Sequence, residues 1–197
     1  QLDTTAAEPP DAALRREYLL ANVGAGESVV DLGCGAGDFT AALARAGVRA
    51  TGIDVAEAAL RHARERHAGL ELDFALAPVD GPLPLGDASV DVVWASEVIE
   101  HVADTARWLS EVRRVLRPGG RLLLTTPYHG RVRNVWVALT GFEAHYDPRS
   151  DHLRFYTRSS LQALLEDFGF GELRLRAAGG PPLLRRLLLA SAVRGRW

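Results

Sequence analysis

A glycine-rich segment between an apolar strand and an amphipathic helix constrains this chain more than any other feature. Residues 29–39 have the sequence VVDLGCGAGDF, so Gly33, Gly35 and Gly37 separate the strand from the helix. Because glycine has no Cβ atom, the backbone there can turn sharply and approach a ligand closely. The free N–H groups at the start of the following helix suit an anionic group. The pattern predicts a strand–helix unit that binds a small ligand at its glycine loop.

Strands and helices alternate along the chain, which favours a mostly parallel sheet with helices on both faces. The strands are predicted at 28–32, 48–53, 70–76, 89–95, 121–126 and 170–176. The helices are predicted at 11–22, 38–46, 56–68, after Asp104 and after Thr157, where these two residues act as N-caps. Residues 187–193 fit a helix or a last strand, and periodicity alone leaves both open.

Length and composition predict one ordinary globular domain over residues 1–197. The net charge of −2 gives no basic field for nucleic acid or an anionic membrane. No apolar run approaches the roughly 20 residues of a membrane span. Cys34 is the only cysteine, so neither a disulfide framework nor a cysteine metal site is expected. These features make a cytoplasmic enzyme the natural expectation, with nucleic acid an unlikely partner, and they leave the oligomeric state open.

Two acids accompany the glycine loop. Asp54 follows Gly33 by 21 residues, where an acid commonly binds ribose hydroxyls. Asp31 precedes the first glycine, where a carboxylate suits the ammonium of an amino-acid ligand better than a pyrophosphate. A nicotinamide-dependent reductase is disfavoured because its G-x-G-x-x-G/A pattern would place the third glycine at Asp38.

From about residue 28 onward the chain resembles the class I S-adenosylmethionine-dependent methyltransferases, in particular those of type 11. Residues 31–37 resemble their first motif and residues 52–54 their second, while residues 79–80 resemble the loop around adenine. The resemblance implies a Rossmann-like α/β fold with seven strands in the order 3-2-1-4-5-7-6, the last formed by 187–193 and antiparallel. It implies S-adenosylmethionine as cofactor and S-adenosylhomocysteine as product, bound by Asp31, Gly33, Cys34, Gly35, Gly37, Asp54, Val55, Asp80, Gly81 and Ser96.

Acidic and imidazole side chains follow the fourth predicted strand. If that turn is helical, Glu97, Glu100 and His101 share one face, and two carboxylates with an imidazole can bind a divalent cation. The pattern resembles the small-RNA 3′-terminal 2′-O-methyltransferases and the ubiquinone-pathway O-methyltransferases. Carried over from the former, Glu97, Glu100, His101 and His152 would hold Mg²⁺. The same motif occurs in relatives without metal, and there His101 or His152 is the expected general base.

Residues 128–151 are long for a structureless loop, and we expect them to form a lid over the acceptor site. The alternative is a surface helix at 132–139 with an aromatic face packed on the sheet, and the two can coexist. Arg131, Arg133 and Arg149 can recognise an anionic acceptor or be solvated. His67, in the second helix of the glycine-loop half, is expected on a solvated face.

The resemblance implies methyl transfer, most simply to a hydroxyl of a small molecule. N- or C-methylation within small-molecule metabolism is the near alternative. A non-catalytic cofactor-binding module is the alternative from another class, since binding residues survive the loss of activity.

Overall fold

The computed structural model describes residues 11–78 and 81–195. Within these ranges the chain forms seven strands, seven α-helices and one 3₁₀ helix at Pro182–Leu184. The strands are β1 (Ser28–Leu32), β2 (Arg49–Asp54), β3 (Asp73–Leu76), β4 (Val90–Ser96), β5 (Leu116–Pro127), β6 (Phe170–Ala178) and β7 (Leu187–Arg194). The α-helices are α1 (Ala12–Leu20), α2 (Asp38–Arg45), α3 (Glu57–Arg66), α4 (Thr105–Val115), α5 (Arg131–Thr140), α6 (Phe142–His145) and α7 (Arg158–Asp167).

The strands form one sheet in the order β3-β2-β1-β4-β5-β7-β6, which confirms the predicted order. The first five strands pair in parallel, and β7 pairs antiparallel with both β5 and β6. Residues 187–193 therefore form the last strand and not a helix. Parallel pairing brings the carboxyl ends of β1, β2, β4 and β5 to one edge, where open α/β sheets bind ligands.

Alternating side chains of the central strands form the core on both faces of the sheet. Val30, Val93 and Leu124 are buried with α4 and α7 side chains on one face. Val29 and Trp94 are buried with α1 and α2 side chains on the other. Because successive strand residues point to opposite faces, near-continuous apolar runs such as β1 and β4 are what a sheet covered on both sides requires.

Helix α4 begins at the N-cap that the sequence predicted. The Asp104 carboxylate accepts a hydrogen bond from the Arg107 N–H at 2.9 Å, as an N-cap does. Leu109 and Val112 are fully buried, as their spacing predicts. The helix ends at Val115, because Leu116 is already extended and begins β5.

Residues 128–151 are less irregular than predicted. Helix α5 confirms the expected surface helix, but none of its residues is buried, so the predicted packing of its aromatic face on the sheet is wrong. Trp136 is 60% exposed. In the described ranges no helix combines the length and the apolar character that crossing a membrane requires.

Candidate cofactor and acceptor site

The backbone after β1 adopts conformations that side chains rarely allow. Gly33 has a φ of +72°, and a Cβ atom there would lie 2.6 Å from Val98 Cγ2. Gly37 has a φ of +78°, and a Cβ atom there would lie 2.9 Å from the Phe74 ring. The glycines therefore let the loop pass close to the 97–101 turn on one side and to β3 on the other.

Asp31 lies beneath this loop with only 1% of its surface exposed. The Thr40 hydroxyl donates a 2.7 Å hydrogen bond to Asp31 Oδ2, while Oδ1 has no partner among the described residues. Burial raises the pKa of this carboxyl to about 7, against the opposing effect of the Thr40 hydrogen bond. A buried acceptor without a partner at a ligand loop fits the ammonium of an amino-acid ligand.

Asp54 joins the glycine loop to the end of β2. Its Oδ2 accepts a hydrogen bond from the Gly35 N–H at 2.8 Å, and its Oδ1 accepts one from the Ala56 N–H at 2.9 Å. Each carboxylate oxygen can accept a second hydrogen bond. Asp54 can therefore hold the loop in shape and still accept from two ligand hydroxyls.

A cavity of about 310 Å³ opens beside the loop. Five of the predicted residues line it: Gly33, Asp54, Val55, Gly81 and His101. Its other walls are mostly apolar, with contributions from Ile53, Leu83, Val98, Val102 and Trp108. This volume and lining suit the nucleoside part of a small ligand.

Five other predicted cofactor residues are not among those that line the cavity. Asp31, Cys34, Gly35, Gly37 and Ser96 do not line it, and Asp80 lies outside the described residues. The Cys34 side chain is buried beside Gly52, and burial raises the pKa of its thiol.

Ser96 belongs to a polar network that the sequence did not reveal. Its hydroxyl accepts a 3.0 Å hydrogen bond from Arg15 Nη1 and lies 3.1 Å from Thr125 Oγ1. Arg15 comes from α1 and is only 8% exposed, with its guanidinium 5.7 Å from the Phe39 ring centroid. The network places a buried cation at the carboxyl ends of β4 and β5. Arg15 has the helical spacing of the buried Ala12 and Leu19, but its residue type argued against burial, because arginine is rarely buried without a partner.

His67 supports the glycine loop from the other side, and its predicted exposure is wrong. It is 8% exposed, and its Nε2 lies 3.1 Å from the Ala36 carbonyl oxygen. The sequence did indicate that His67 is buried, because Leu60, Ala63 and His67 have the spacing of one buried helical stripe.

Three of the four predicted metal ligands come together. One ligand atom each from Glu100, His101 and His152 lies within 4.8 Å of the others. The Thr126 hydroxyl donates a 3.0 Å hydrogen bond to Glu100 Oε2, and Oε1 has no partner among the described residues. Burial, followed by the charge of Glu97, raises the pKa of Glu100 to about 8. Burial also lowers the pKa of His152.

Glu97 lies outside this group because the turn is not helical where the prediction required it. Glu97 follows the last residue of β4 and has a φ of +55°, an uncommon value for a residue other than glycine. Its Oε1 accepts a 2.9 Å hydrogen bond from the hydroxyl of Thr125, whereas Glu100 is bound by Thr126. Consecutive strand residues point to opposite faces, so the two acids are held on opposite sides of β5.

Comparison with known proteins places this chain in one family. Residues 30–124 match the model of the methyltransferase domain named Methyltransf_11. A Mycolicibacterium smegmatis protein whose name begins "Probable S-adenosylmethionine-dependent methyltransferase" is 38% identical over 151 residues, which cover 77% of this chain and 54% of that protein. The chain thus spans about half the length of this relative.

Two other similar proteins are matched over a larger share of their own length. A ubiquinone biosynthesis O-methyltransferase from Ralstonia nicotianae is 32% identical over 171 residues, which cover 84% of this chain and 71% of that enzyme. The structure of a SAM-dependent methyltransferase from Aquifex aeolicus superposes with a TM-score of 0.71 at 20% identity, over 94% of this chain and 93% of that one. The protein therefore belongs to the class I S-adenosylmethionine-dependent methyltransferases.

Proposed function

We propose that this protein transfers a methyl group from S-adenosylmethionine to a hydroxyl of a small acceptor bound beside Glu100, His101 and His152. The observation that carries the proposal is the position of His101. Its ring forms part of the cofactor cavity wall and stands 4.8 Å from the ring of His152. A base at the boundary between the cofactor and the acceptor is what O-methylation requires.

The hydrogen bond of His101 selects which nitrogen can accept a proton. Nδ1 lies 3.0 Å from the carbonyl oxygen of Asp151, and a carbonyl oxygen can only accept. Nδ1 therefore carries the hydrogen in the neutral ring, and Nε2 keeps a free lone pair. The backbone of Glu100 also accepts a hydrogen bond from the Leu153 N–H at 2.8 Å, which ties the 151–154 segment to this turn.

The cofactor residues have separate roles in this proposal. Asp31 binds the amino-acid ammonium through its partnerless Oδ1, and Asp54 accepts from the ribose hydroxyls. When bound, S-adenosylmethionine supplies a methyl group already activated on a sulfonium. The chain must then orient the acceptor hydroxyl, exclude water and receive the hydroxyl proton at His101 Nε2. Such positioning alone can contribute several kcal/mol, up to about 7–11 in favourable cases.

We assign residues 128–151 to a lid over the acceptor. Rings from this segment and from Phe155, in the irregular stretch that follows it, form one continuous cluster. His129 lies 5.3 Å from His145 and 5.0 Å from Phe155, and Tyr146 lies 4.9 Å from Phe155. An aromatic cluster of this kind can cover a planar hydroxylated acceptor and exclude water from it.

The residues present do not fit the four-ligand magnesium site that the sequence predicted. The assembled donors are one carboxylate and two imidazoles, whereas Mg²⁺ prefers oxygen ligands in octahedral geometry. Glu97, which would supply another oxygen, is bound to Thr125 instead. No step of the proposed reaction is therefore assigned to a metal.

The test is a methyl-transfer assay with S-adenosylmethionine labelled on its methyl group and a panel of catechols, other phenols, amines and carbon acids. We expect products methylated on oxygen, and a loss of about 10²–10⁴-fold in kcat for His101→Gln, the range that general bases contribute. His62→Gln, an exposed histidine of α3, is the matched control and should retain full activity. Methylation of only the amines, or of no compound by protein that binds S-adenosylhomocysteine, would contradict O-methylation.

A further inference from the structure

A second cavity, which we call the arginine groove, lies between the first turns of α5 and α7 and the 3₁₀ helix. Its volume is about 480 Å³. Four arginines line it, namely Arg131, Arg133, Arg158 and Arg185, and no aspartate or glutamate is among its lining residues. A concave surface of this size with four cations and no acid is built for an anionic ligand.

The four guanidinium groups have no acidic partner in the part of the chain that the structure describes. Over residues 11–78 and 81–195, none of them takes part in an ion pair. Arg133 donates to the Tyr128 carbonyl oxygen at 3.1 Å and Arg185 to the Gly180 carbonyl oxygen at 2.7 Å. By contrast, Arg186, the next residue in the chain, binds the Asp11 carboxylate. The groove therefore keeps its positive charge while the arginine beside it is paired.

Two helix N-termini add to this charge. Helix α5 begins after Gly130 without a side-chain cap, and α7 begins after Thr157, whose hydroxyl accepts from the Ser160 N–H. The first N–H groups of each helix have no partner within the helix, and each end carries a partial positive charge of roughly +0.5. Both helices have ten residues, and both first turns contribute to the groove wall.

The pKa of Arg133 is consistent with an unneutralised positive charge in the groove. Burial lowers the pKa of its guanidinium, and the charge of Arg186 lowers it further. A guanidinium that is half-buried near another cation gains stability when an anion binds beside it.

The groove also lies within reach of the proposed reaction centre. The Thr126 hydroxyl is hydrogen-bonded to Glu100, and Tyr128, two residues further, lines the groove. Two residues of extended chain span at most about 7 Å between Cα atoms. The groove therefore begins close to the β5 residue that binds Glu100, and the proposal requires one acceptor molecule to span from His101 to the groove.

We propose that the arginine groove binds a phosphate or diphosphate group of the methyl acceptor. This inference rests on the proposed function, because it identifies the class of acceptor for the same site. Guanidinium groups bind phosphate oxygens in pairs of parallel hydrogen bonds, and four of them exceed what one carboxylate would neutralise.

The first test is a calorimetric titration of the full chain, saturated with S-adenosylhomocysteine, with inorganic pyrophosphate. Arg131 and Arg158 are exposed, so the double variant Arg131→Ala/Arg158→Ala is expected to fold. We expect it to bind pyrophosphate at least about 100-fold more weakly, taking roughly tenfold for each charged hydrogen-bonding group. The matched control is Arg45→Ala/Arg61→Ala, which removes two exposed arginines of α2 and α3 and should bind as the unmodified protein does.

The second test links the groove to methyl transfer. We expect 3,4-dihydroxybenzyl phosphate to have a KM at least about tenfold below that of 3,4-dihydroxybenzyl alcohol, and the groove variant to abolish this difference. Equal KM values, pyrophosphate binding that the groove variant leaves unchanged, or binding only to phosphatidylglycerol vesicles would overturn the proposal. If S-adenosylhomocysteine does not bind, the proposed function fails, whereas the pyrophosphate titration without it still reports on the groove.

Discussion

Asp31 gives the sharpest prediction because the same burial that prepares it for a ligand also destabilises the free protein. We consider Asp31→Asn, which keeps the size of the side chain and removes its titration. The pKa of Asp31 is raised from its usual 3.8 to about 7. A carboxyl with a raised pKa contributes its full stability below its unfolded pKa, and that stability is lost as the pH rises through the folded value.

The magnitude follows from the two pKa values. A difference of about 3 pKa units, at about 1.4 kcal/mol for each unit, gives a loss of about 4 kcal/mol between pH 4 and pH 8. This figure is an upper bound, since water or a local shift of the loop can relax part of the cost. Asp31→Asn has no such titration, so its free energy of unfolding should exceed that of the unmodified protein by an amount that grows over this pH range.

The assay is urea unfolding of both proteins, without ligand, at several pH values from 4 to 8. Leu124→Ala is the control, because it removes a fully buried apolar side chain and no titrating group. The difference between unmodified protein and Asp31→Asn should grow with pH, and the difference for Leu124→Ala should stay nearly constant. A constant difference for both variants would refute the inference that burial holds Asp31 poised for a cation.

Four further outcomes follow from the same geometry. Gly33→Ala should cost at least about 1–2 kcal/mol of stability in urea unfolding, because the φ of Gly33 is +72° and the new Cβ would meet Val98. The same variant should bind S-adenosylhomocysteine more weakly in a calorimetric titration. Leu124→Ala, at a fully buried position of β5, should cost about 2–5 kcal/mol in urea unfolding. Trp136→Ser should change stability by less than about 0.5 kcal/mol but raise the acceptor KM, and an unchanged KM would count against the lid. EDTA should leave the methyl-transfer rate unchanged, and a loss restored by a divalent cation would show that a metal takes part.

The sequence predicted the parts of the molecule that local rules determine. The glycine spacing around Gly33 and Gly37 corresponds to real left-handed turns, and Asp104 and Thr157 cap their helices as predicted. The order of the strands, including the antiparallel 187–193, came from the family resemblance and is confirmed. Periodicity alone had left that last segment undecided, because a short apolar run fits a buried strand or a buried helix equally well.

What the sequence missed depends on contacts between distant segments. The prediction that Glu97 joins Glu100 assumed a helical turn, but the positive φ at Glu97 sends the two acids to different threonines of β5. Arg15 reaches Ser96 across 81 residues of sequence, which no local pattern encodes. The arginine groove likewise joins α5, α7 and the β6–β7 connection, so only the fold brings its four cations together.

Calorimetric titration of S-adenosylhomocysteine into the unmodified protein and into Asp54→Ala is the most direct test that the loop after β1 and the end of β2 form one cofactor site. The account predicts saturable one-to-one binding, at least about tenfold weaker in Asp54→Ala because the ribose hydroxyls lose a charged acceptor, and no binding of NADH by either protein. Absence of S-adenosylhomocysteine binding to the unmodified protein, or equal affinities in both proteins, would contradict it.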